Sequence, residues 1–536
     1  MPRKKKLPLI YTIDLETDPF EYGKGVAPFC CGLYDGKRKW HTWGAHCVEK
    51  MMGILEDLPP GIIYAHNGGR FDFFWFLKYA NRSAKTVIIK NRIVKFDLNT
   101  GHEMRDSFKL FPFALDKYKK REIDYNKFRR GVRNKHKAEI LEYLIYADDS
   151  DCVSLHELLT AYFEEFGESL TIGGTAFKIL KKMYDVGETL PQAWDDHIRS
   201  RYYFGGRVER YGVGVFSGDF KVFDINSAYP FVMRDYWHPI GTPHFGSKIT
   251  DDTFFLTVEG KNSGAFPMRT KGGLRFDVEC GQYAVTIHEY RAALDTGKFK
   301  PRQVIQTVDF AQRIKFDKFI NLYYGKRLEA AAAGDELHKL MFKFLLNNSY
   351  GKFAINPANY KDYMIEIDWV PVDRCLCGRV CECGKWRPVL LLPDVSLIMY
   401  ARPSQQVQRM NIATGASITG ATRSLLMRGL ACAKRPMYCD TDSIIAEDLE
   451  GMNLDGKDLG AWKVEGAGDT LAIAGRKLYA LMDGAECVKS ASKGVRLEPH
   501  EIISVARGER IIYNQDAPIF RLDGSVDFLQ REVRVT

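Results

Sequence analysis

Two groups of acidic residues, each set at the end of an apolar, strand-like run, constrain this chain more than any other feature. In the first group, the run Leu9-Ile10-Tyr11-Thr12-Ile13 leads into Asp14-Leu15-Glu16. Residues two apart on a strand point to the same face, so these two carboxylates stand side by side. A second buried-strand pattern, residues 61–65, leads into Asn67-Gly68-Gly69-Arg70-Phe71-Asp72. Asp151 lies in a helical stretch and adds a fourth acid. In the second group, Asp224 follows the strand-like Phe220-Lys221-Val222-Phe223. Tyr438-Cys439-Asp440-Thr441-Asp442-Ser443 has the form of a hairpin with its acids at the turn. Taken singly, each of these acids reads as a surface carboxylate or a cap. Taken together, each group suits a pair of divalent cations and phosphodiester chemistry.

The chain has 536 residues, 45% hydrophobic and 27% charged, the balance of an ordinary globular protein with three or four domains. Lys plus Arg exceeds Asp plus Glu by 77 to 68, a formal charge of +9 that permits a polyanionic partner. No run approaches ~18 uninterrupted apolar residues, so no membrane span is expected; the longest candidate, residues 389–400, is broken by Pro393 and Asp394. The basic start Met1-Pro2-Arg3-Lys4-Lys5-Lys6 is followed by acids rather than an apolar stretch. It reads as a solvated tail or a weak phosphate-binding arm, not a secretory signal. Twelve cysteines without an export signal do not indicate a disulfide framework.

Up to about residue 165, strand-like and helix-like runs alternate, which predicts an α/β domain with helical structure over 138–166. The Gly-rich segment 171–175 marks a boundary. Beyond it, helices are expected over 191–199 with Pro191 in the first turn, over 316–347 with a break at Gly334-Asp335, and over 417–433. Strands are mixed among them without βα regularity, so this part is α+β. Lys339, Lys343 and Asn347 recur every four residues and share one helical face. That stripe is either a solvated face or a cradle for a triphosphate.

The order Asp-x-Glu, then Asn-x3-Phe-Asp, then a helical Tyr and Asp resembles the proofreading 3′–5′ exonuclease domain of family B DNA polymerases. The segments around Asp224, Lys343-Phe344-Leu345-Leu346-Asn347-Asn348-Ser349-Tyr350-Gly351 and Asp440-Thr441-Asp442 resemble motifs A, B and C of the same family's polymerase domain. The resemblance implies a ribonuclease H-like α/β exonuclease domain over 1–170. It implies an α+β right-hand polymerase domain over 171–536. Within the latter it implies a palm at about 200–244 and 397–480, fingers at about 316–355 and a thumb at about 481–536. Two insertions would lie at about 245–315 and 356–396.

By this resemblance Asp14, Glu16, Asp72 and Asp151 are the exonuclease acids, and Asp224 and Asp442 hold the polymerase metals, with Asp440 supporting them. Two Mg²⁺ or Mn²⁺ ions are implied at each site. Arg327, Lys339 and Lys343 would neutralise phosphate charge, Tyr229 would exclude a 2′-hydroxyl, and Asn347 and Tyr350 would line the nascent base pair. Thr17, Asn67, Phe71, Ser107, Phe108 and Lys120 would serve the editing strand. Tyr203-Phe204-Gly205-Gly206 resembles the linker that couples synthesis to editing, Thr419-Gly420-Ala421-Thr422-Arg423 a primer-contacting motif, and Lys477-Leu478-Tyr479 the motif that grips the primer terminus. The family usually has a small Ala or Gly where Thr422 stands. In the third exonuclease motif the usual tyrosine, four residues before the acid, is replaced by Ala147. Tyr146, or Tyr143 if the helix is locally irregular, are the alternatives.

The chain is most similar to the protein-primed polymerases of tectiviruses, on stretches such as Thr171-Ile172-Gly173-Gly174-Thr175-Ala176 and His238-Pro239-Ile240-Gly241. That resemblance implies initiation on a terminal protein, template and primer DNA and dNTPs as partners, and strand-displacing replication of a linear phage genome. It also implies a monomer, or a heterodimer with the terminal protein, in the cytoplasm of the host bacterium. A stand-alone exonuclease and a non-catalytic DNA-binding replication factor are the competing readings; the intact second group of acids argues against both. Within the second insertion, Cys375-Leu376-Cys377-Gly378-Arg379-Val380-Cys381-Glu382-Cys383 presents four thiols that would either bind Zn²⁺ as a hairpin or stay as thiols.

Overall fold

The computed structural model describes residues 8–19, 26–81, 85–186, 189–271, 273–356, 359–366, 387–392, 397–404, 410–454, 456–514, 519–520, 526–527 and 530–535. The cysteine segment 375–383 lies outside these residues.

A mixed ten-stranded sheet carries the first group of acids. At its heart, Ile10–Thr17 pairs antiparallel with Pro28–Tyr34 and parallel with Ile62–Ala65, which pairs parallel with Glu103–Asp106. With Lys39–Trp43 outside Pro28–Tyr34, this half has the strand order of a ribonuclease H-like domain. Every residue of Ile10–Thr17 except Asp14 is buried, as expected for a strand covered on both faces. The helical stretch expected over 138–166, as one helix or two, is divided. Lys137–Leu141 runs into a π-helical turn at Glu142–Tyr146, and a second helix, Asp151–Phe166, follows after a short break.

Three more strands extend this sheet from far along the chain. Lys361–Glu366 pairs with Lys85–Ile88, Leu397–Pro403 pairs with Lys361–Glu366, and Arg387–Leu392 forms the edge. Ile365, Leu397 and Met399 are buried in one cluster with Ile13, Phe73, Phe76 and Phe96. Leu397–Pro403, expected at the resumption of the palm, therefore belongs to the inserted strands. A strand's sequence shows its propensity but not its partner.

The second large sheet has seven strands, in the order Glu486–Ser492, Leu478–Asp483, Trp462–Gly475, Gly214–Ile225, Ser443–Ala446, Tyr438–Asp440, Val208–Arg210. The helix Ile412–Cys432 packs against it, buried on nearly all sides, which marks it as core. It starts five residues before the expected 417. The helix Pro499–Ala506 packs on the other strands through Ile502 and Val505. The expected helix over 316–347 is two, Asp317–Ala332 and Glu336–Asn347. Gly334 takes φ 71°, and Asp335 caps the second helix by accepting from the His338 N–H at 3.1 Å. A smaller sheet of four strands lies with the helix Ile287–Asp295 in the segment where the first insertion is expected.

The first domain and the helix pair share a core. Leu155, Leu158 and Tyr162 cluster with Phe319, Tyr323, Phe342 and Leu345. Phe113 stacks on Phe344 at 5.3 Å, and Lys326 pairs with Glu165 at 2.5 Å.

Candidate active sites

In the first site, Asp14 and Glu16 come from one strand, as their spacing predicts. Asp151 comes from the first turn of the helix behind it. Ligand atoms of these three lie within 4.8 Å of one another. Asp72 joins them from the start of the short helix Phe73–Phe76, near enough for its charge to act on Asp14 and Glu16. Gly69, three residues earlier, lies so close to the next strand that a Cβ there would stand 1.8 Å from the Ile93 carbonyl oxygen.

The site is strongly acidic and short of counter-charge. Burial, then the charges of Asp151, Asp72 and Glu16, push Asp14 well above the usual carboxylate range. Burial and the Asp151 charge do the same to Glu16. Burial pushes Asp72 up to about 7. Lys120 Nζ meets Asp151 Oδ2 at 3.1 Å, and burial still leaves Asp151 raised. Asp151 Oδ1 is buried without a hydrogen-bond partner. An oxygen-rich set with an orphaned carboxylate oxygen fits hard divalent cations.

The two candidate tyrosines part company. Tyr146 is 38% exposed and its hydroxyl pairs with His41 Nδ1 at 2.8 Å, outside the site. Tyr143 is buried beside the site, and burial and then the charges of Glu16 and Asp151 raise its phenol well above the usual range. Tyr125 meets the Tyr143 hydroxyl at 3.1 Å, and Lys120 lies 5.0 Å from the Tyr143 ring.

Among the residues expected to serve the editing strand, Phe71 and Phe108 are half-buried. Asn67, with φ 64°, accepts from Arg92 at 2.6 Å; Arg92 also meets Asp106 at 2.7 Å and lies 4.3 Å over the Phe108 ring. Thr17 and Ser107, expected to serve the editing strand, are both buried. The Thr17 hydroxyl donates to the Asp18 carbonyl, and Ser107 is spent on Ala65 and His66. Arg92, which organises this corner, escaped sequence reasoning, since no local pattern links it to Asn67 or Asp106.

In the second site, Asp224 stands opposite Ser443 in register, and the Ile225 N–H donates to the Asp442 carbonyl at 2.9 Å. Thr441, at φ 62°, makes the turn between Asp440 and Asp442. Burial, then the charges of Asp224 and Asp440, push Asp442 up to about 7. Burial and the charge of Glu465 raise Asp224. Two raised, facing carboxylates fit a divalent cation here too. Lys477 neutralises Asp440 at 2.6 Å, and Tyr479 packs on Tyr438 with ring centroids 4.8 Å apart.

Tyr229 lies flat on Tyr350, rings 3.9 Å apart and 6° from parallel, both within reach of the Asp442 charge. Arg327 donates to Ser227 at 3.2 Å, and Lys343 is exposed beside it. Asn347 is exposed one turn on, whereas Lys339 pairs with Glu336 at 2.8 Å. Lys463 stands opposite Asp224 in register, 3.6 Å from its Oδ1 and 2.8 Å from Glu465. Lys463 and Glu465 were missed; they meet two residues apart on Trp462–Gly475, where the strand carries a β-bulge between Val464 and Gly466.

The Tyr203–Gly206 linker crosses directly over this turn. A Cβ on Gly206 would lie 2.5 Å from the Thr441 hydroxyl oxygen, while the space around Gly205 is open. Arg423 and Thr419, expected to contact the primer, are both buried. Arg423 is 2% exposed, paired with Glu289 at 2.8 and 3.0 Å, and donates to the Phe204 and Gly205 carbonyls. Thr419 donates back to Ala416. Tyr203 is half-buried beside Tyr350.

A protein of Enterobacteria phage PRD1, named DNA-directed DNA polymerase, is 40% identical over the full length of both chains. The chain belongs to the protein-primed family B DNA polymerases of bacteriophages. The family described as DNA polymerase type B, organellar and viral, matches residues 117–373 of this family B chain. The DNA polymerase of Bacillus phage phi29 is 25% identical over 67% of this chain and 64% of its own. A solved structure of that polymerase with primer–template DNA and incoming nucleotide covers 99% of this chain and 100% of its own, with TM-score 0.73 and 19% identity. At that identity the likeness concerns the fold, an exonuclease domain with palm, fingers and thumb. Among the described residues no helix of the family B chain is long and apolar enough to cross a membrane.

Proposed function

We propose that this chain is a DNA-directed DNA polymerase that proofreads its product with the first site. The observation that carries this reading is the pairing of Asp224 with the Asp440–Asp442 turn beneath Arg327 and Lys343, in a chain that aligns end to end with a phage polymerase. Asp224 and Asp442 hold Mg²⁺ or Mn²⁺ in the palm; Asp14, Glu16, Asp72 and Asp151 do so in the exonuclease. When bound, these cations supply the Lewis acidity that activates the attacking oxygen and offsets charge on the leaving one.

The protein's own groups do the rest. Arg327 and Lys343 draw the triphosphate onto the fingers helices. Tyr229, held flat by Tyr350, closes the floor on which the sugar sits and leaves no room for a 2′-hydroxyl. Lys477 removes the charge of Asp440, so that Asp224 and Asp442 carry the cation load. In the exonuclease, Lys120 fixes the Asp151 carboxyl, Tyr143 lies beside it, and Phe71 and Phe108 offer faces on which frayed bases stack. Initiation on the hydroxyl of a terminal protein docked on the first insertion, in the host bacterium's cytoplasm, and strand displacement aided by the second insertion complete the proposal.

Primer extension with Mg²⁺ and dNTPs tests it. Asp442→Ala is expected to abolish extension and keep 3′ degradation; Asp14→Ala is expected to do the reverse. An Asp442→Ala variant that extends primers like the wild type overturns the polymerase assignment. Covalent transfer of labelled dNMP to a co-purified terminal protein tests the priming mode.

A further inference from the structure

The Tyr203–Gly206 linker is held from outside the palm. The Tyr203 carbonyl accepts from Arg269, whose guanidinium also donates to the Ser200 carbonyl at 3.2 Å and lies 4.4 Å over the Phe204 ring. The Phe204 and Gly205 carbonyls accept from Arg423 Nη1 at 2.6 and 2.8 Å. Just beyond the linker, Arg207 Nη1 donates to the Gly264 carbonyl at 2.8 Å. Gly264 and Arg269 lie in the segment where the first insertion is expected, and so does the group that aims Arg423. Glu289 Oε1 and Oε2 accept from Arg423 Nε and Nη2 at 2.8 and 3.0 Å. A guanidinium is planar, so two bonds along one edge fix the direction of its remaining nitrogen. Here that nitrogen is Nη1, the one on the linker.

Glu289 also closes the capping box of the helix Ile287–Asp295 with Thr286. Gly420, one turn before Arg423, lets the two helices touch, since a Cβ there would run into the Thr286 side chain. A buried ion pair that only supports the fold is the plain alternative. Such a pair is often no better for stability than apolar side chains of the same volume. Stability also leaves unexplained why the third nitrogen points at the linker. Nor does it account for Arg269, which is exposed and meets the linker independently.

The linker in turn bears on the catalytic turn. The Thr441 N–H donates to the Arg207 carbonyl at 2.7 Å, and the linker runs into Val208–Arg210, where Val208 stands opposite Asp440 in register. We propose that Glu289, acting through Arg423, and Arg269 are positioning residues for the turn that carries Asp440 and Asp442. The first insertion holds the linker, and the linker sets where those carboxylates stand. This rests on the polymerase reading above.

Steady-state extension at saturating primer–template tests the role in Glu289→Gln and Arg269→Met, with Thr286→Ala as the comparison. Thr286→Ala removes the capping hydroxyl and lowers Tm, yet leaves the Glu289–Arg423 contacts in place. Glu289→Gln is expected to lower kcat about tenfold, with the KM for dNTP within about twofold. The Mg²⁺ concentration for half-maximal extension should rise about fivefold, less than the ~10–100-fold of a group that touches a metal ligand directly. Arg269→Met should move both constants the same way, and 3′ degradation of single-stranded DNA should stay within about twofold in all three variants. Hydrogen exchange of residues 438–443, which needs no activity, should quicken in Glu289→Gln and not in Thr286→Ala. Should Glu289→Gln fail to fold, Arg269→Met, changed at an exposed position, is read by the same measurements. Unmoved kcat, Mg²⁺ constant and exchange overturn the inference. Equal changes in Thr286→Ala and Glu289→Gln overturn it too, since the pair would then be a plain support of the fold. A wild-type chain that extends no primer overturns the polymerase reading, and exchange at the turn still decides the inference.

Discussion

Tyr143 and Tyr146 are three residues apart and face different surroundings. A regular helix would place them on neighbouring parts of one surface. The π-helical turn at Glu142–Tyr146 widens the winding there, and the break at 147–150 separates both from the helix that bears Asp151. Tyr143 ends beside Asp151, and Tyr146 ends against His41. Tyr143→Phe is expected to slow 3′ degradation at least about tenfold and leave primer extension within about twofold, since the hydroxyl beside Glu16 and Asp151 is lost. Tyr146→Phe should match the wild type in both assays. Equal losses in the two variants would refute the assignment. Asp14 and Glu16 were legible from sequence because strand alternation is a local rule. The tyrosine was not, because one inserted residue in a helical turn changes the phase without changing composition. Arg92 was not legible for another reason: it meets Asn67 and Asp106 across the fold, and such pairing leaves no mark in the spacing. Arg423 and Thr419 carry the expected motif, yet their polar groups are consumed inside the protein.

At the scale of elements, the Tyr203–Gly206 linker acts as a strap over the catalytic turn. Arg423 holds the Phe204 and Gly205 carbonyls, and the Thr441 N–H donates to the Arg207 carbonyl at 2.7 Å. Between these anchors Gly206 lies against the Thr441 side chain. Gly206→Ala must therefore push either the strap or the turn that carries Asp440 and Asp442. The expected result is at least about tenfold slower extension and a Tm lower by about 2–6 °C, the scale of an overpacked contact. Gly205→Ala meets open space and should leave Tm within about 1 °C. Removing the Thr441 methyl and hydroxyl in Gly206→Ala/Thr441→Ala should restore part of the Tm, because the two sites share one contact. A Tm for Gly206→Ala equal to that of wild type would show that the turn tolerates the methyl group. The helix pair at 316–347 and its break were readable from capping chemistry, as Gly334 and Asp335 are a turn and a cap. The destination of Leu397–Pro403 was not readable, because its partners lie elsewhere in the chain.

For the whole molecule, the strands of the second insertion are part of the exonuclease sheet rather than an appendage to the polymerase. Tyr363 pairs with Thr86, and the Ile365 side chain is fully buried among residues of the first domain such as Phe73, Phe76 and Phe96. Residues nearly 300 positions apart thus complete one core. A segment expected from sequence to serve polymerisation consequently stabilises the editing domain. Ile365→Ala removes three buried carbons from that shared core, a loss of about 2–5 kcal/mol where the cavity cannot collapse. The loss should fall on the exonuclease half. In pulsed hydrogen exchange, Lys85–Ile88 and Ile93–Asp97 should lose protection before Gly214–Ile225 does, because the palm sheet shares no strand with the damaged one. The 3′ degradation activity should fade on heating at a lower temperature than extension from a matched primer. If instead both activities and both sheets fail together, the exonuclease sheet and the palm unfold as one cooperative unit through the core formed by Leu158, Tyr162, Tyr323 and Phe342, and the inserted strands do not act on editing alone.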